Sequence, residues 1–320
     1  MSNEPKRPPI TDSQTNLRTR VTGERALVLG GGGSAGNAWL IGVIAGLFEA
    51  GLDVTNADLV IGTSAGSTAA AQITSAAPAE LYAATIAPPP PRLMPAGPGH
   101  RPTPAGPTSN QSHIERQKAI IAASSDAADL SRRLGAAALD MDAASDGSWS
   151  AKWRTIVATR LPSQHWPRQA VQITAVDART GEPIVFDRNS GVDLVDAVAA
   201  SCSSSLPYKI GDNLYIDGGY RTNAENADLA AGYARVLVLS PFGGKALQPL
   251  EWGTDLAAQI AELRAGGSKV ETVFPAGNAR GIFAPDGNVM DPSSRLLAAQ
   301  AGYDQGKVLA TSLARFWRHL

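Results

Sequence analysis

Short apolar runs alternate with glycine-rich turns and with longer segments of mixed polarity along most of this chain. Apolar runs of four to eight residues between turn signals are typical of strands buried in a parallel sheet. The predicted strands are 25–29, 59–61, 170–176, 183–186, 213–216, 235–239 and 269–274. The predicted helices are 37–50, 67–75, 111–124, 127–139, 194–201, 224–231, 254–265 and 292–317. This alternation predicts an α/β fold in which helices cover both faces of a central, mostly parallel sheet, giving three αβα layers.

One large domain is expected, with two segments outside its regular pattern. Residues 1–23 are polar, lack the apolar core of a secretory signal, and are predicted to form a disordered N-terminal arm. Residues 24–320 form the domain. Within it, 87–165 combine a proline-rich loop with alanine-rich helices, and we expect this insertion to cover a substrate cleft.

Composition excludes several classes of function. Twenty-eight basic against 29 acidic residues give a net charge of −1, so nucleic acid is not an expected partner. A single cysteine, Cys202, allows neither an internal disulfide nor a multi-cysteine metal site. No apolar run is long enough to span a bilayer, so we expect a cytoplasmic protein whose lipid contacts, if any, are peripheral.

A candidate nucleophile follows the second predicted strand. The segment Gly62-Thr-Ser-Ala-Gly66, called the elbow below, has the pattern of a serine nucleophile between a strand and a helix. Gly62 and Gly66 would let strand and helix approach closely enough to expose the hydroxyl of Ser64. The alternative is that Ser64 is only a small residue filling a tight turn.

A serine nucleophile needs a base, and the histidines are poorly placed to supply one. None of them ends a predicted late strand, and all are expected on the surface: His100, His113, His165 and His319. Asp217 instead follows the strand 213–216 directly, and Gly218 and Gly219 after it allow a sharp turn. Burial would have to raise its pKa for it to act as a base, and a simple turn aspartate is the alternative.

The glycine loop, residues 30–36, has two interpretations. Gly31, Gly33 and Gly36 fit a dinucleotide-binding pattern, with Asp53 at about the distance of a ribose-binding acid. Alternatively, the backbone N–H groups of Gly31, Gly32 and Gly33 could form an oxyanion hole. The elbow favours the oxyanion hole, because acyl transfer needs both loops whereas dinucleotide binding needs only one.

Taken in order, the glycine loop, the elbow and Asp217-Gly-Gly219 resemble the patatin-like phospholipases over roughly residues 24–240. The resemblance implies a lipid acyl hydrolase in which Ser64 is the nucleophile, Asp217 its base and Gly31–Gly33 the oxyanion loop. It implies no metal or organic cofactor. A non-catalytic lipid-binding or regulatory module and an NAD(P)-dependent oxidoreductase remain as alternatives.

One position departs from that family. Its glycine loop usually carries an arginine or lysine before the last glycine, whereas this chain has Ala35. A preference for neutral esters or lysolipids over charged phospholipids is therefore expected. Three further residues have two interpretations each: Arg221 as a head-group contact or a solvated side chain, Cys202 as a nucleophile or a packing residue, and Asp177 as a second acid or a turn residue.

Overall fold

The computed structural model describes residues 23–88, 108–246, 248–284 and 287–318. The strands of the described chain are β1 Arg25–Leu29, β2 Leu59–Gly62, β3 Ala170–Asp177, β4 Pro183–Phe186, β5 Tyr208–Ile210, β6 Asn213–Asp217, β7 Arg235–Leu239 and β8 Lys269–Val273. Its α-helices are α1 Gly33–Glu49, α2 Ala65–Ile73, α3 Pro78–Ile86, α4 Thr108–Ala122, α5 Ala127–Ala143, α6 Trp149–Ala158, α7 Leu194–Ser201, α8 Leu256–Ala265, α9 Ala279–Ile282 and α10 Ser294–Trp317.

These strands form one mixed, mostly parallel sheet in the order β5-β6-β3-β2-β1-β7-β8, with β4 also paired to β3. The strands β3, β2, β1, β7 and β8 are parallel to their neighbours in that series, whereas β6 runs antiparallel to β3. The parallel strands are short and apolar, and β1, β2 and β7 are almost wholly buried, as expected for strands covered on both faces.

Helices cover both faces of the sheet, so the molecule has the predicted three layers. On one face, α1, α2, α3, α7 and α10 share an apolar core with alternate strand residues such as Leu27 and Val60. On the other face, Ala26 and Val28 pack with α8, and Val176 packs with α5. No helix in the described part of the chain is long and apolar enough to cross a membrane.

The helices α1 and α10 pack with their backbones in close contact, and glycines permit this. A Cβ atom placed on Gly46 would lie 2.0 Å from the carbonyl oxygen of Tyr303, and one on Gly306 would lie 2.3 Å from that of Val43. Gly42 and Gly302 meet the facing backbone in the same way. Because only hydrogen fits at these positions, α10 lies directly against the helix that begins at the glycine loop.

Most predicted elements are present, with several shifts. The helix predicted at 37–50 begins at Gly33, so part of the glycine loop is helical. The helix predicted at 224–231 is wrong: only a 3₁₀ turn at Ala227–Ala230 forms, because Asn226 adopts a left-handed conformation just before it. The helices α3, α6 and α9 and the three-residue strand β5 were not predicted. The N-terminal arm and the proline-rich loop fall largely on residues 1–22 and 89–107, outside the described residues.

Candidate active site

Ser64 lies in a strained turn between β2 and α2. Its backbone has φ 53° and ψ −116°, a combination that non-glycine residues rarely adopt. A Cβ atom on Gly66 would lie 1.9 Å from the carbonyl oxygen of Leu29, and one on Gly62 would lie 2.6 Å from the Cα of Ser67. Both glycines are therefore required for the elbow to pass this close to β1 and α2. Such a strained backbone is typical of a turn that points a serine hydroxyl, here that of Ser64, away from the strand and the helix.

Asp217 reaches the same edge of the sheet from the opposite direction. It is the last residue of β6, which is antiparallel, and it pairs with Ala175 two residues beyond the β3 residue that faces Gly62. The predicted location at a strand end is therefore right, although the strand is not one of the parallel set. A Cβ atom on Gly218 would lie 2.3 Å from the carbonyl oxygen of Thr174, so the chain turns tightly against β3.

The two side chains are directly hydrogen-bonded. Ser64 Oγ donates to Asp217 Oδ2 at 2.8 Å, and Gly219 N–H donates to Asp217 Oδ1 at 2.8 Å. Burial raises the pKa of Asp217 to about 6, although both hydrogen bonds act to lower it. A carboxylate with this pKa is ionised at neutral pH and is a better proton acceptor than an ordinary aspartate.

The glycine loop lies beside Ser64, but its N–H groups are not equivalent. Gly31 N–H donates to the carbonyl oxygen of Ala224 at 2.7 Å, so it is already occupied. This corrects the expectation that Gly31 donates to an oxyanion. A Cβ atom on Gly31 would lie 3.5 Å from Ser64 Cβ, so Gly31 nevertheless lies close to Ser64. Among the described residues, no acceptor is found for the N–H groups of Gly32 and Gly33, at the start of α1.

A buried asparagine connects the two catalytic candidates. Asn226 Nδ2 donates to Gly218 O at 2.9 Å and to Thr63 Oγ1 at 3.0 Å, and it lies 3.3 Å from Thr174 Oγ1. Thr63 precedes Ser64 and Gly218 follows Asp217, so this one amide joins the elbow to the turn after β6. Asn226 is fully buried, which makes these bonds costly to lose.

The residues at the end of α7 hold the elbow from the other side. Ser64 N–H donates to Ser201 Oγ at 2.9 Å, and the Cys202 thiol donates to the Ser64 carbonyl oxygen at 3.1 Å. Burial raises the pKa of Cys202 to about 11, so it stays a neutral thiol at neutral pH. These contacts support a packing role for Cys202 and not a nucleophilic one.

Two other predicted residues are engaged in local structure. Arg221 is neither solvated nor free for a head group, because it forms a bidentate salt bridge with Asp228, with both N–O distances 2.8 Å. Asp177 Oδ1 accepts from the backbone N–H groups of Arg179 and Thr180, as a turn residue does.

The structure also shows where the histidines and Asp53, the candidate ribose-binding acid, lie. His165 is exposed, whereas His100, His319 and the side chain of His113 lie outside the described residues. Asp53 accepts from Thr55, and it precedes β2. It therefore lies at the sheet edge opposite the glycine loop, where it cannot meet a ribose bound at that loop.

Comparison with known protein families identifies the family of this chain. The family profile described as patatin-like phospholipase matches residues 27–230, more than half of the chain. The chain belongs to the patatin-like phospholipase family. This is a family of lipid acyl hydrolases, and the match contains the glycine loop, the elbow and Asp217.

Comparisons with individual proteins add less. No curated protein matches the chain. Among solved structures, VipD from Legionella pneumophila is similar with a TM-score of 0.39 and 14% identity, over 91% of this chain and 67% of that one.

Sequence reasoning missed several residues that support the site, namely Ser201, Asn226 and Arg295. Ser201 and Asn226 are separated from Ser64 by more than 130 positions and match no motif, so only the fold brings them to it. Arg295, in the first turn of α10, donates from Nη1 to Ser34 in the glycine loop.

Proposed function

We propose that this protein is a serine-dependent carboxylic ester hydrolase that releases fatty acids from lipids through a dyad of Ser64 and Asp217. The observation that carries the proposal is the 2.8 Å hydrogen bond from Ser64 Oγ to the buried Asp217 carboxylate. Membership of the patatin-like phospholipase family supports a lipid substrate. The proposed reaction needs no metal or organic cofactor.

In the first half of the reaction, Ser64 Oγ attacks the ester carbonyl carbon while its proton passes to Asp217. The N–H groups of Gly32 and Gly33 bind the oxygen that becomes negative, assisted by the positive end of the α1 dipole. When the tetrahedral intermediate collapses, the carbon–oxygen bond to the head-group alcohol breaks. The alcohol takes the proton from Asp217, which leaves an acyl-enzyme on Ser64.

In the second half, a water molecule takes the position of the alcohol. Asp217 accepts its proton as the water oxygen attacks the acyl carbonyl, and the same proton is then returned to Ser64 as the fatty acid leaves. One carboxylate therefore serves both steps. Burial, which raises the pKa of Asp217 to about 6, supports this role, because a base of raised pKa accepts a proton more readily and is still ionised at neutral pH.

Hydrolysis of a graded series of acyl esters tests the proposal, with wild type compared with Ser64→Ala and Asp217→Asn. We expect a loss of at least about a thousandfold in kcat for Ser64→Ala and a loss of similar order for Asp217→Asn. Loss in Ser64→Ala with full activity in Asp217→Asn would contradict the dyad. Lipid binding by a wild-type protein that hydrolyses none of the esters would instead support a non-catalytic module.

A further inference from the structure

Arg295 brings a positive charge to the glycine loop from a distant part of the chain. It lies in the first turn of α10, outside the matched residues 27–230, and its Nη1 lies 3.2 Å from both the carbonyl oxygen and the Oγ of Ser34. Ser34 directly precedes Ala35, the position where related glycine loops carry a basic residue. Ala35 is fully buried, so a long charged side chain would not fit there.

This charge has no counterion. Within the described residues, no carboxylate lies within salt-bridge distance of Arg295, and its Nε and Nη2 have no acceptor. Burial, and then the nearby charge of Arg160, lower its pKa. A guanidinium stays charged at neutral pH despite such shifts.

Arg160 is the second cation at this place. It follows α6, its Cζ lies 5.1 Å from the centre of the Trp153 ring, and its carbonyl oxygen accepts from Gln72 of α2. None of the salt bridges in the described part of the chain includes Arg160 either. Gln72 also accepts from Asn37 Nδ2 at 2.9 Å, and Asn37 lies one turn of α1 beyond Ser34, so Arg160 and Arg295 both lie near the start of α1.

Two like charges held near each other without a counterion repel, and an anion between them would offset that repulsion. A phosphate fits this role because guanidinium groups bind its oxygens with paired, charge-assisted hydrogen bonds. The surface next to Arg295 is apolar: Met290, Leu296 and Leu297 are all substantially exposed. A cation pair with apolar neighbours suits an amphiphile better than a water-soluble phosphate.

We propose that Arg295 and Arg160 bind the phosphate of the substrate's head group, so that the enzyme prefers anionic phospholipids or lysophospholipids to neutral esters. Arg295 thus supplies from α10 the charge that Ala35 lacks, which reverses the preference expected from Ala35 alone. This proposal rests on the proposed ester hydrolysis at Ser64. Both arginines are specificity residues and not reacting groups.

The test uses two monomeric substrates with the same acyl chain, a lysophosphatidic acid and a monoacylglycerol, below their micelle-forming concentrations. We expect the ratio of kcat/KM for the phosphate ester to that for the neutral ester to fall about 10- to 100-fold in Arg295→Gln and in Arg160→Gln. Arg295→Lys should recover part of it. Arg315→Gln is the control, because Arg315 is exposed on the same helix about 30 Å away. A ratio unchanged within twofold in both variants would overturn the proposal.

Binding separates this proposal from the one on which it rests. In a Ser64→Ala background, a non-hydrolysable ether analogue of the phosphate lipid should bind at least about tenfold more tightly than its neutral counterpart, and Arg295→Gln should abolish the difference. If wild type hydrolyses neither ester but this difference is present, the hydrolase proposal fails and the phosphate site stands. If inorganic phosphate binds while the two ether lipids bind equally, the site takes free phosphate and the head-group proposal is wrong.

Discussion

At the scale of single residues, the pKa of Asp217 should set the pH range in which the proposed dyad is active. Because a base must be ionised, kcat/KM should rise about tenfold per pH unit below pH 6 and level off above it. The measurement is a pH profile of ester hydrolysis from pH 4.5 to 8.5. A limb centred near pH 4, or no limb, would contradict the assignment.

Glu225 provides the control for that profile. It is a second buried carboxyl whose pKa burial raises to about 7, and Ser240 Oγ donates to it at 2.6 Å. Glu225 lies behind the glycine loop and has no contact with Ser64 among those described. The limb near pH 6 should therefore persist in Glu225→Gln. If it disappeared in that variant, the titration would belong to Glu225 and not to Asp217.

Asn226 is the residue that we expect to matter most among those that touch no substrate. Asn226→Gly keeps the left-handed backbone accessible but removes the amide that joins Thr63 to Gly218. Its loss leaves several buried polar groups unsatisfied, so we expect about 2–4 kcal/mol less stability. We also expect a kcat at least about tenfold lower with KM little changed.

Asn189→Gly is the matched control, because Asn189 is exposed in a surface turn. It should leave both urea unfolding and kcat near wild type. Equal kcat values in Asn226→Gly and wild type would show that the amide positions nothing of catalytic value.

The positions of Ser64 and Asp217, the residues of the proposed dyad, could be predicted from sequence because each lies at the end of a short apolar strand and has glycine neighbours, a local pattern. Which N–H groups of the glycine loop are free to bind an oxyanion could not be predicted. Gly31 and Gly32 look alike in sequence, yet only Gly31 donates to the carbonyl oxygen of Ala224, which lies in a distant loop. Arg295 carries no motif at all, and its position depends on how α10 crosses α1.

At the scale of elements, that crossing is the contact most sensitive to a small change. Gly46→Ala would place a methyl carbon 2.0 Å from the Tyr303 carbonyl oxygen, so α10 would have to move away from α1. We expect a loss of about 3 kcal/mol in the free energy of unfolding, measured by urea denaturation.

Gly281→Ala is the comparison for this change. Gly281 is also helical, but a Cβ atom there meets nothing within 4 Å, so the substitution should be neutral or slightly stabilising. If Gly46→Ala is no more destabilising than Gly281→Ala, the helices are not held at the distance described. Because Arg295 is carried by α10, Gly46→Ala should also weaken any preference for phosphate esters.

The element that was predicted wrongly and those that were missed have separate local causes. Residues 224–231 are rich in alanine and favour a helix locally, but the Asn223 side chain accepts from the N–H groups of Glu225 and Asn226 and turns the chain. Only three residues of β5 pair with β6, too few for a periodic signal. Pro78 at the start of α3 was a usable signal for that helix.

At the scale of the whole molecule, burying Asp217 should lower stability at neutral pH. Its pKa is higher in the folded protein, about 6, than the ordinary 3.8, so the folded state holds its proton more tightly. The stability that the protonated carboxyl gives to the folded state is fully present below pH 4. It is lost as the pH rises through 6. Asp217→Asn cannot titrate, so its stability relative to wild type should increase over this range by up to about 3 kcal/mol.

Urea unfolding of both proteins at pH 4 and at pH 8 measures this effect, because other titrating groups cancel in the difference. A constant difference between Asp217→Asn and wild type across this range would contradict the raised pKa.

The overall architecture was predictable because strands and helices alternate along the chain. Three layers bury both faces of the apolar strands under the apolar sides of the helices. The direction of β6 was not, because an apolar five-residue strand has the same pattern whether it runs parallel or antiparallel. Asp217 is at the right edge of the sheet only because β6 returns along β3.

The most direct test of the dyad is to locate covalent modification of the serine. Wild-type protein is treated with a fluorophosphonate at pH 7.5, digested, and mapped by mass spectrometry. We expect one adduct on the peptide that contains Ser64, none in Ser64→Ala, and labelling at least about a hundredfold slower in Asp217→Asn. An unlabelled wild-type protein, or an adduct on another residue, would contradict the assignment of Ser64 as the nucleophile.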